Sequence, residues 1–187
     1  MKQLLFDKIP KRKTFFGGSF LKNSHAKSAR PISSKLPMHI VLKSSIAKGS
    51  LSFLFPKNQN TVKSILKKSA QIFHIQILEF SNNGNHLHLL IRGRNRNDIK
   101  NFIRTLSALL PRYIQNKHKG HKDIKHSSMN PPNESKKTTS FWDQRAFSRI
   151  VESYKGYFVA RDYVLMNHLE SLGIIPYQIR KVRYSTA

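Results

Sequence analysis

The sequence predicts an α+β fold: an antiparallel sheet of ferredoxin-like order carrying its helices on one face. Three observations support it. Stretches whose apolar residues alternate with period two are interleaved with stretches of helical period. The pair Asn83-Gly84 sits between two alternating stretches, and this is the dipeptide that a tight hairpin turn favours. The 187 residues are 39% hydrophobic and include 12 Phe, enough apolar volume for one core.

Residues 1–36 hold a dense run of Lys and Arg against Asp7 alone, and read as a flexible basic N-terminal arm. The folded domain is expected over 37–175. Its first strand is Met38-His39-Ile40-Val41-Leu42-Lys43, β-branched and partly alternating. After a connection punctuated by Gly49, Pro56, Asn58 and Asn60, Thr61 can cap a helix whose Val62, Ile65, Leu66 and Phe73 share one face. His74 to Phe80 alternates, breaks at Ser81-Asn82-Asn83-Gly84, and resumes from Asn85 to Ile91, making a hairpin. Beyond a basic loop from Arg92 to Arg96, Ile99, Phe102, Ile103, Leu106, Leu110 and Ile114 trace a second helix, capped by Asn95 or Asn97. Residues 116–140 carry Lys, His, Asn and Ser with Pro131-Pro132 and read as a long mobile basic loop. Arg145 to Val151 forms a fourth strand, and a last helix runs from about Ala160 to Leu172, stopped by Gly173. A basic tail occupies 176–187.

Charge narrows the function. With 34 Lys+Arg against 9 Asp+Glu the formal net charge is +25, which calls for a polyanionic partner, and nucleic acid is the commoner choice over an anionic membrane surface. The sequence contains no apolar stretch of spanning length and no signal-peptide pattern, so the expectation is a soluble intracellular protein. Zero Cys removes disulfides, Cys-ligated zinc, iron–sulfur clusters and thiol nucleophiles, leaving His and oxygen ligands for any metal.

Two small constellations carry chemistry. His86-Leu87-His88 lies in a strand, where alternate side chains share a face, so the two imidazoles project side by side about 6–7 Å apart at the backbone. Both can then reach one metal ion, although two histidines on a polar sheet face are the commoner meaning of this spacing. Tyr163 and Asn167 are four apart on the last helix and offer a phenolic oxygen and an amide oxygen to one spot. A lone helical Tyr is more often core packing, but Val164 and Leu165 can supply that packing instead.

Taken together, the His-x-His strand and the later Tyr163-Val164-Leu165-Met166-Asn167 resemble the single-tyrosine HUH transposases of the insertion-sequence-200 type. Within them the chain is most similar to the REP-associated tyrosine transposase branch, whose helix reads Tyr-x-x-x-Asn where other members have Gln. The stretch Phe141-Trp142-Asp143-Gln144-Arg145-Ala146-Phe147 resembles the aromatic-basic strand before that helix, and Arg30-Pro31 through Pro37 to Lys43 resembles the lead into the first strand. The resemblance spans roughly Arg30 to Gly173.

It implies an HUH endonuclease-like domain with a divalent metal, Mg2+ or Mn2+, held by His86 and His88 with Asn167 as a third, helix-borne ligand. It implies that Tyr163 attacks a DNA phosphate, leaving a 5′-phosphotyrosine link and a free 3′-hydroxyl. The chemistry is coherent with those residue types, because a cation stabilises the charge that builds on the phosphoryl oxygens, while a tyrosine must give up its proton during attack. A covalent link conserves the broken bond, and no Gly-rich phosphate loop is present. His168 stands where the branch commonly has Pro and is a lower-ranked ligand candidate, pointing roughly 100° from Asn167 on an ideal helix. The implied setting is the bacterial cytoplasm, nucleoid-associated when on DNA, with a homodimer left open and each site built in cis or in trans.

Single-stranded or hairpin DNA is the expected partner, since metal chemistry on a paired duplex is sterically awkward. Lys43, Arg92, Arg94 and Arg96 near strand ends, with Trp142 and Arg145 at the fourth strand, are the DNA-binding candidates. His39 can approach the site from the first strand, though a packed or surface histidine is the commoner role; His118, His121 and His126 sit among lysines and read as solvated. The competing reading is a noncatalytic single-stranded nucleic-acid-binding module on the same sheet, with a basic ribosome-associated protein behind it. Geometry separates them: the enzyme requires Tyr163 beside the histidines.

Overall fold

The computed structural model describes residues 14–17, 29–116 and 140–177. The expected loop at 116–140 (apart from its two ends), most of the basic arm, and all but the first two residues of the tail lie outside them.

In the strand β2 (Met38–Lys43) the alternation is strict: Met38, Ile40 and Leu42 are buried, whereas His39 and Val41 are half-buried and Lys43 exposed. That register sets the sheet. β2 pairs antiparallel on one side with β4 (His86–Gly93) and on the other with β5 (Phe147–Ile150). The hairpin partner of β4 is β3 (Ile75–Asn82), with a bulge between Ile77 and Glu79, and a two-residue edge strand β1 (Phe15–Phe16) pairs with β5. The order is β1-β5-β2-β4-β3, and every pairing is antiparallel. Gly84, at φ 81°, supplies the left-handed residue that the hairpin turn needs.

Beneath one face lie α1 (Pro56–Ile72) and α2 (Arg96–Ile114). Val62, Ile65 and Leu66 of α1 join Ile99, Phe102, Leu106 and Leu110 of α2 against Met38, Ile40, Leu42, Leu87, Leu89 and Ile91 of the sheet. The third helix, α3 (Tyr154–Ser171), packs along β3 and β4 on the opposite face, where its buried residues are Val164 and Asn167. The α+β antiparallel fold with three helices is as the sequence reads, but the helices are not all on one face. Leu87 through Ile91 are buried without interruption, the mark of a strand covered on both sides. No described helix is long and apolar enough to cross a membrane.

Element ends follow capping chemistry. α1 starts at Pro56 rather than Thr61, because Pro suits the first helical position, and the Asn58 amide ties the turn down by donating to the carbonyls of Ser50 and Ser52, both at 2.8 Å. α3 starts at Tyr154 rather than Ala160, since Ser153 caps it by accepting the Gly156 N–H at 3.0 Å. Asn95 caps α2. Gly173, at φ 71°, closes α3 with bonds from its own N–H to Glu170 O and from Ile174 N–H to Leu169 O.

The arm is not free along its whole length. Phe15-Phe16 extends the sheet, Ile32 enters the core, and Arg30 stacks 4.5 Å over the Phe16 ring while donating to Ala146 O and Ser148 Oγ at 2.9 and 2.7 Å. Burial, with Arg145 nearby, lowers the Arg30 pKa to about 10. At the other end of the sheet, a Cβ on Gly93 would lie 2.2 Å from Ile99 Cγ1 and 2.9 Å from Ile75 Cδ1. Gly93→Ala is expected to destabilise the domain by about 1–3 kcal/mol through overpacking. An unchanged denaturant midpoint would show that the α2 contact is looser than it stands.

Candidate active site

β4 sets His86 and His88 on the α3 face with ring centroids 4.9 Å apart. The antiparallel register brings Val41 opposite His88 and His39 opposite Leu90, so His39 is the diagonal neighbour of His88. The two rings stack at 5.5 Å, and His39 Nε2 lies 3.2 Å from His88 Nδ1 in a hydrogen bond. From above, α3 delivers Tyr163, whose ring meets His88 edge-on at 5.3 Å and His39 at 5.8 Å. Tyr163 is 37% exposed, so the phenol is in reach of a substrate rather than sealed in the core. Tyrosine and histidines belong to the same chain.

One turn further on, Asn167 is 4% exposed. Its Nδ2 donates to the Tyr163 carbonyl at 2.7 Å, and its Oδ1 accepts from Asn83 Nδ2 at 3.1 Å. Asn83 Oδ1 in turn accepts from Ser81 Oγ at 2.5 Å. The hairpin turn is thereby fastened to the helix turn that carries Tyr163. An amide oxygen has two lone pairs, so Oδ1 keeps one acceptor position beyond Asn83.

Burial moves two of the histidines toward the neutral form. Burial, helped by Arg149, pushes His39 down to about 4; burial, helped by Lys43, lowers His86. Neutral imidazole is the form that ligates metal. His86 Nδ1 bonds Asn85 Oδ1 at 2.6 Å, and because that oxygen only accepts, the ring proton is on Nδ1 and Nε2 carries the lone pair. His88 likewise has Nδ1 engaged by His39, which leaves Nε2 as the nitrogen with which it could ligate. Among the described residues no group of three His, Cys, Asp or Glu side chains is arranged to hold a metal ion. His39 is hydrogen-bonded to His88 and does not form a three-histidine cluster with His86 and His88. The donors present, two oriented imidazoles and one amide oxygen, fit a divalent cation completed by water or phosphate oxygens.

The other sequence candidates divide. Lys43 is exposed and pairs with His86 across the strands, next to the site. Arg92 is exposed at the far end of β4, some four residues or about 13 Å beyond His88, and Arg94 and Arg96 follow it. They are not gathered with the histidines. Arg145 is exposed just before β5. Trp142 is half-buried: its indole N–H donates to Ser107 O at 2.7 Å, and its ring packs on Phe53 and Phe141, at centroid distances of 5.9 and 5.0 Å. Its donor is satisfied and it packs against the core. Asp143, next to it, accepts from Ser45 N and Oγ at 2.6 and 2.7 Å and anchors the segment to the end of β2. His168 makes no ring contact with the three histidines among the described residues. His39, Asn83 and Asn85 are the site residues that sequence spacing alone does not promote, because their relation to His86 and His88 depends on strand register and turn geometry.

Compared with known proteins, residues 32–168 match the family model described as "Transposase IS200 like". Among solved structures, a crystal structure of a candidate transposase from Deinococcus radiodurans R1 aligns at 15% identity and a TM-score of 0.42, covering 76% of this chain and 98% of that one. No curated protein sequence matches.

Proposed function

The chain belongs to the IS200-like transposase family, and from that premise we propose that it cleaves and rejoins single-stranded or hairpin DNA through a tyrosine-linked intermediate at one bound divalent cation. The observation that carries the proposal is the convergence of Tyr163, His88 and His39, from three separate elements, within 5.3–5.8 Å of ring-to-ring distance. A noncatalytic nucleic-acid-binding sheet has no need of a phenol at that point.

In this reading Tyr163 Oη forms the new bond to phosphorus as the bond from phosphorus to the 3′ oxygen breaks. The phenol proton is lost, the leaving 3′ oxygen gains one, and the 5′ phosphate stays on the protein. A second 3′-hydroxyl reverses the step and rejoins the strand. His86, His88 and Asn167 would hold the cation, which supplies Lewis-acid stabilisation of charge on the phosphoryl oxygens. Asn167, bonded to the Tyr163 carbonyl and to Asn83, keeps the helix turn bearing the nucleophile fixed against the hairpin. The neighbourhood of Tyr163 and the histidines of its own chain supports a site complete in cis.

The direct test is incubation of the protein with labelled hairpin DNA and Mg2+ or Mn2+, followed by denaturing electrophoresis. A label at the 3′ end of the strand travels with the protein, a label at the 5′ end does not, and chelation removes the adduct. Failure to form an adduct with either metal would overturn the proposal. Two imidazole nitrogens favour Mn2+ over Mg2+, so the adduct is expected at lower Mn2+ than Mg2+ concentration. His39→Ala is expected to weaken metal affinity by about 10–100-fold, as loss of an orienting hydrogen bond to a ligand does. Titration calorimetry with Mn2+ checks it, and equal affinity would reduce His39 to packing.

A further inference from the structure

The sheet face that carries the histidines continues past them from β2, where Tyr163 of α3 meets His39, over β5 and β1; among the described residues α3 packs mainly along β3 and β4. Strand registers fix which side chains this half presents. Phe147 is opposite Val41, itself opposite His88, while Arg149 stands between His39 on one side and Phe15 on the other. Directly paired residues share a face. Phe147 is thus two strands from His88, roughly 10 Å away, and its ring meets His39 edge-on at 6.3 Å. Phe16 turns into the protein, which leaves Phe15 on the outer face and 46% exposed.

The charge on this half is of one sign. β1, β2 and β5 contribute Lys43 and Arg149 and no carboxylate, and both cations are exposed. Arg149 lies close enough to His39, and Lys43 close enough to His86, for each to disfavour protonation of the neighbouring ring. Aromatic rings and cations therefore interleave along a path that begins at the histidines and ends at the sheet edge. A single strand offers the complement, flat bases and one phosphate per nucleotide; a duplex keeps its bases stacked inside.

We propose that this half-sheet is the track for single-stranded DNA flanking the cleaved phosphate, with one base stacked on Phe147, a further base on Phe15, the phosphate between them at Arg149, and a phosphate on the histidine side of Phe147 at Lys43. The proposal rests on the reading of the histidine–tyrosine site as a single-strand nuclease.

The test uses the full chain carrying Tyr163→Phe, so that binding is read without cleavage, and a fluorescein-labelled oligothymidine followed by anisotropy. Phe147→Leu and Phe15→Ala are each expected to weaken binding by about fivefold to a hundredfold, the range for loss of one base–aromatic stack. Arg149→Gln is expected to make the log–log salt dependence shallower by about 0.7, one phosphate contact on a single strand. A strand containing 5-iodouracil, irradiated on the protein, is expected to cross-link to the peptides bearing Phe15 or Phe147. Phe147→Leu touches His39, so Phe15→Ala at the sheet edge, checked for an unchanged thermal midpoint, is the independent variant.

Affinities within twofold of the parent for both Phe variants, with cross-links elsewhere, would overturn the track. If at the same time the Tyr163-bearing protein forms its DNA adduct normally, the nuclease reading stands and only the track falls. No binding of oligothymidine by the parent overturns both. Loss of a dimer on Phe15→Ala, with DNA affinity unchanged, would instead assign the face to a second copy of this chain.

Discussion

Tyr163→Phe is expected to eliminate the covalent protein–DNA adduct while leaving single-strand binding and Mn2+ binding at the level of the parent. The substitution removes one oxygen. The ring that meets His88 at 5.3 Å and His39 at 5.8 Å is retained, and the side chain is 37% exposed, so the cost in stability is expected within about 0.5 kcal/mol. Strand cleavage should fall by on the order of a millionfold, the scale on which removal of a covalent nucleophile acts. Gel detection of the adduct and fluorescence anisotropy on the same preparation read the two effects separately. Another exposed tyrosine, Tyr154, lies on α3 nine residues before Tyr163, hence on the other side of the helix, and Tyr154→Phe is the matched control with no expected effect. An adduct that persists in Tyr163→Phe and disappears in Tyr154→Phe would transfer the nucleophile to the wrong side of α3 and end the cis reading.

The strand pattern was legible because local chemistry and long-range packing agree there. Alternation in Met38–Lys43 is the alternation of a strand with one face in the core, and the hairpin turns at Gly84, whose φ is 81°, while Asn83 is not left-handed. Where the two disagree, local pattern misleads. Asn58 and Asn60 look like turn residues, yet both lie inside α1, because the Asn58 amide is occupied by the carbonyls of Ser50 and Ser52 and does not compete with the helix. The first turns of α3 hold Gly156 and Val159, poor helix formers, and are nucleated instead by the Ser153 cap. The placement of α3 across the sheet from α1 and α2 had no periodic signal, since Tyr154, Val159 and Leu165 are exposed while Val164 is buried. The uninterrupted Leu89-Leu90-Ile91 was the one readable sign that β4 is covered twice.

The site divides in the same way. His86, His88, Tyr163 and Asn167 stand out by spacing within one element, which a sequence displays. The role of His39 depends on Val41 being the cross-strand partner of His88, a fact of register, and registers between strands 47 residues apart are invisible to spacing. Phe15 and Phe147 share a face for the same reason, through pairing with opposite neighbours of β5 and β2. Charge density in the first 36 residues hides Phe15-Phe16, which pair with β5, and Ile32, which joins the core.

The second large effect concerns the cation. In the parent protein, Mn2+ at a hundredfold over its dissociation constant is expected to stabilise the fold by about 2.7 kcal/mol, because it binds the native arrangement and not the unfolded chain. His86→Ala and His88→Ala should each abolish that increment. They differ in the metal-free state: His86 is half-buried, whereas His88 is 3% exposed and stacked on His39, so His88→Ala alone should also lower basal stability, by roughly 1–3 kcal/mol. The comparison with and without Mn2+ separates the ligand effect from the packing effect, which a loss of activity cannot do. His168→Ala is the discriminating case. It follows Asn167 directly on α3 but points about 100° away, so the metal-induced shift in thermal midpoint is expected to survive intact. If His168→Ala loses the shift and Asn167→Ala keeps it, the third ligand is the imidazole, and the bonds from Asn167 to Asn83 and to the Tyr163 carbonyl serve only to fix the helix. If all four variants keep the shift, no metal site exists on this face, and the proton and charge of the transesterification must be handled by the histidines themselves.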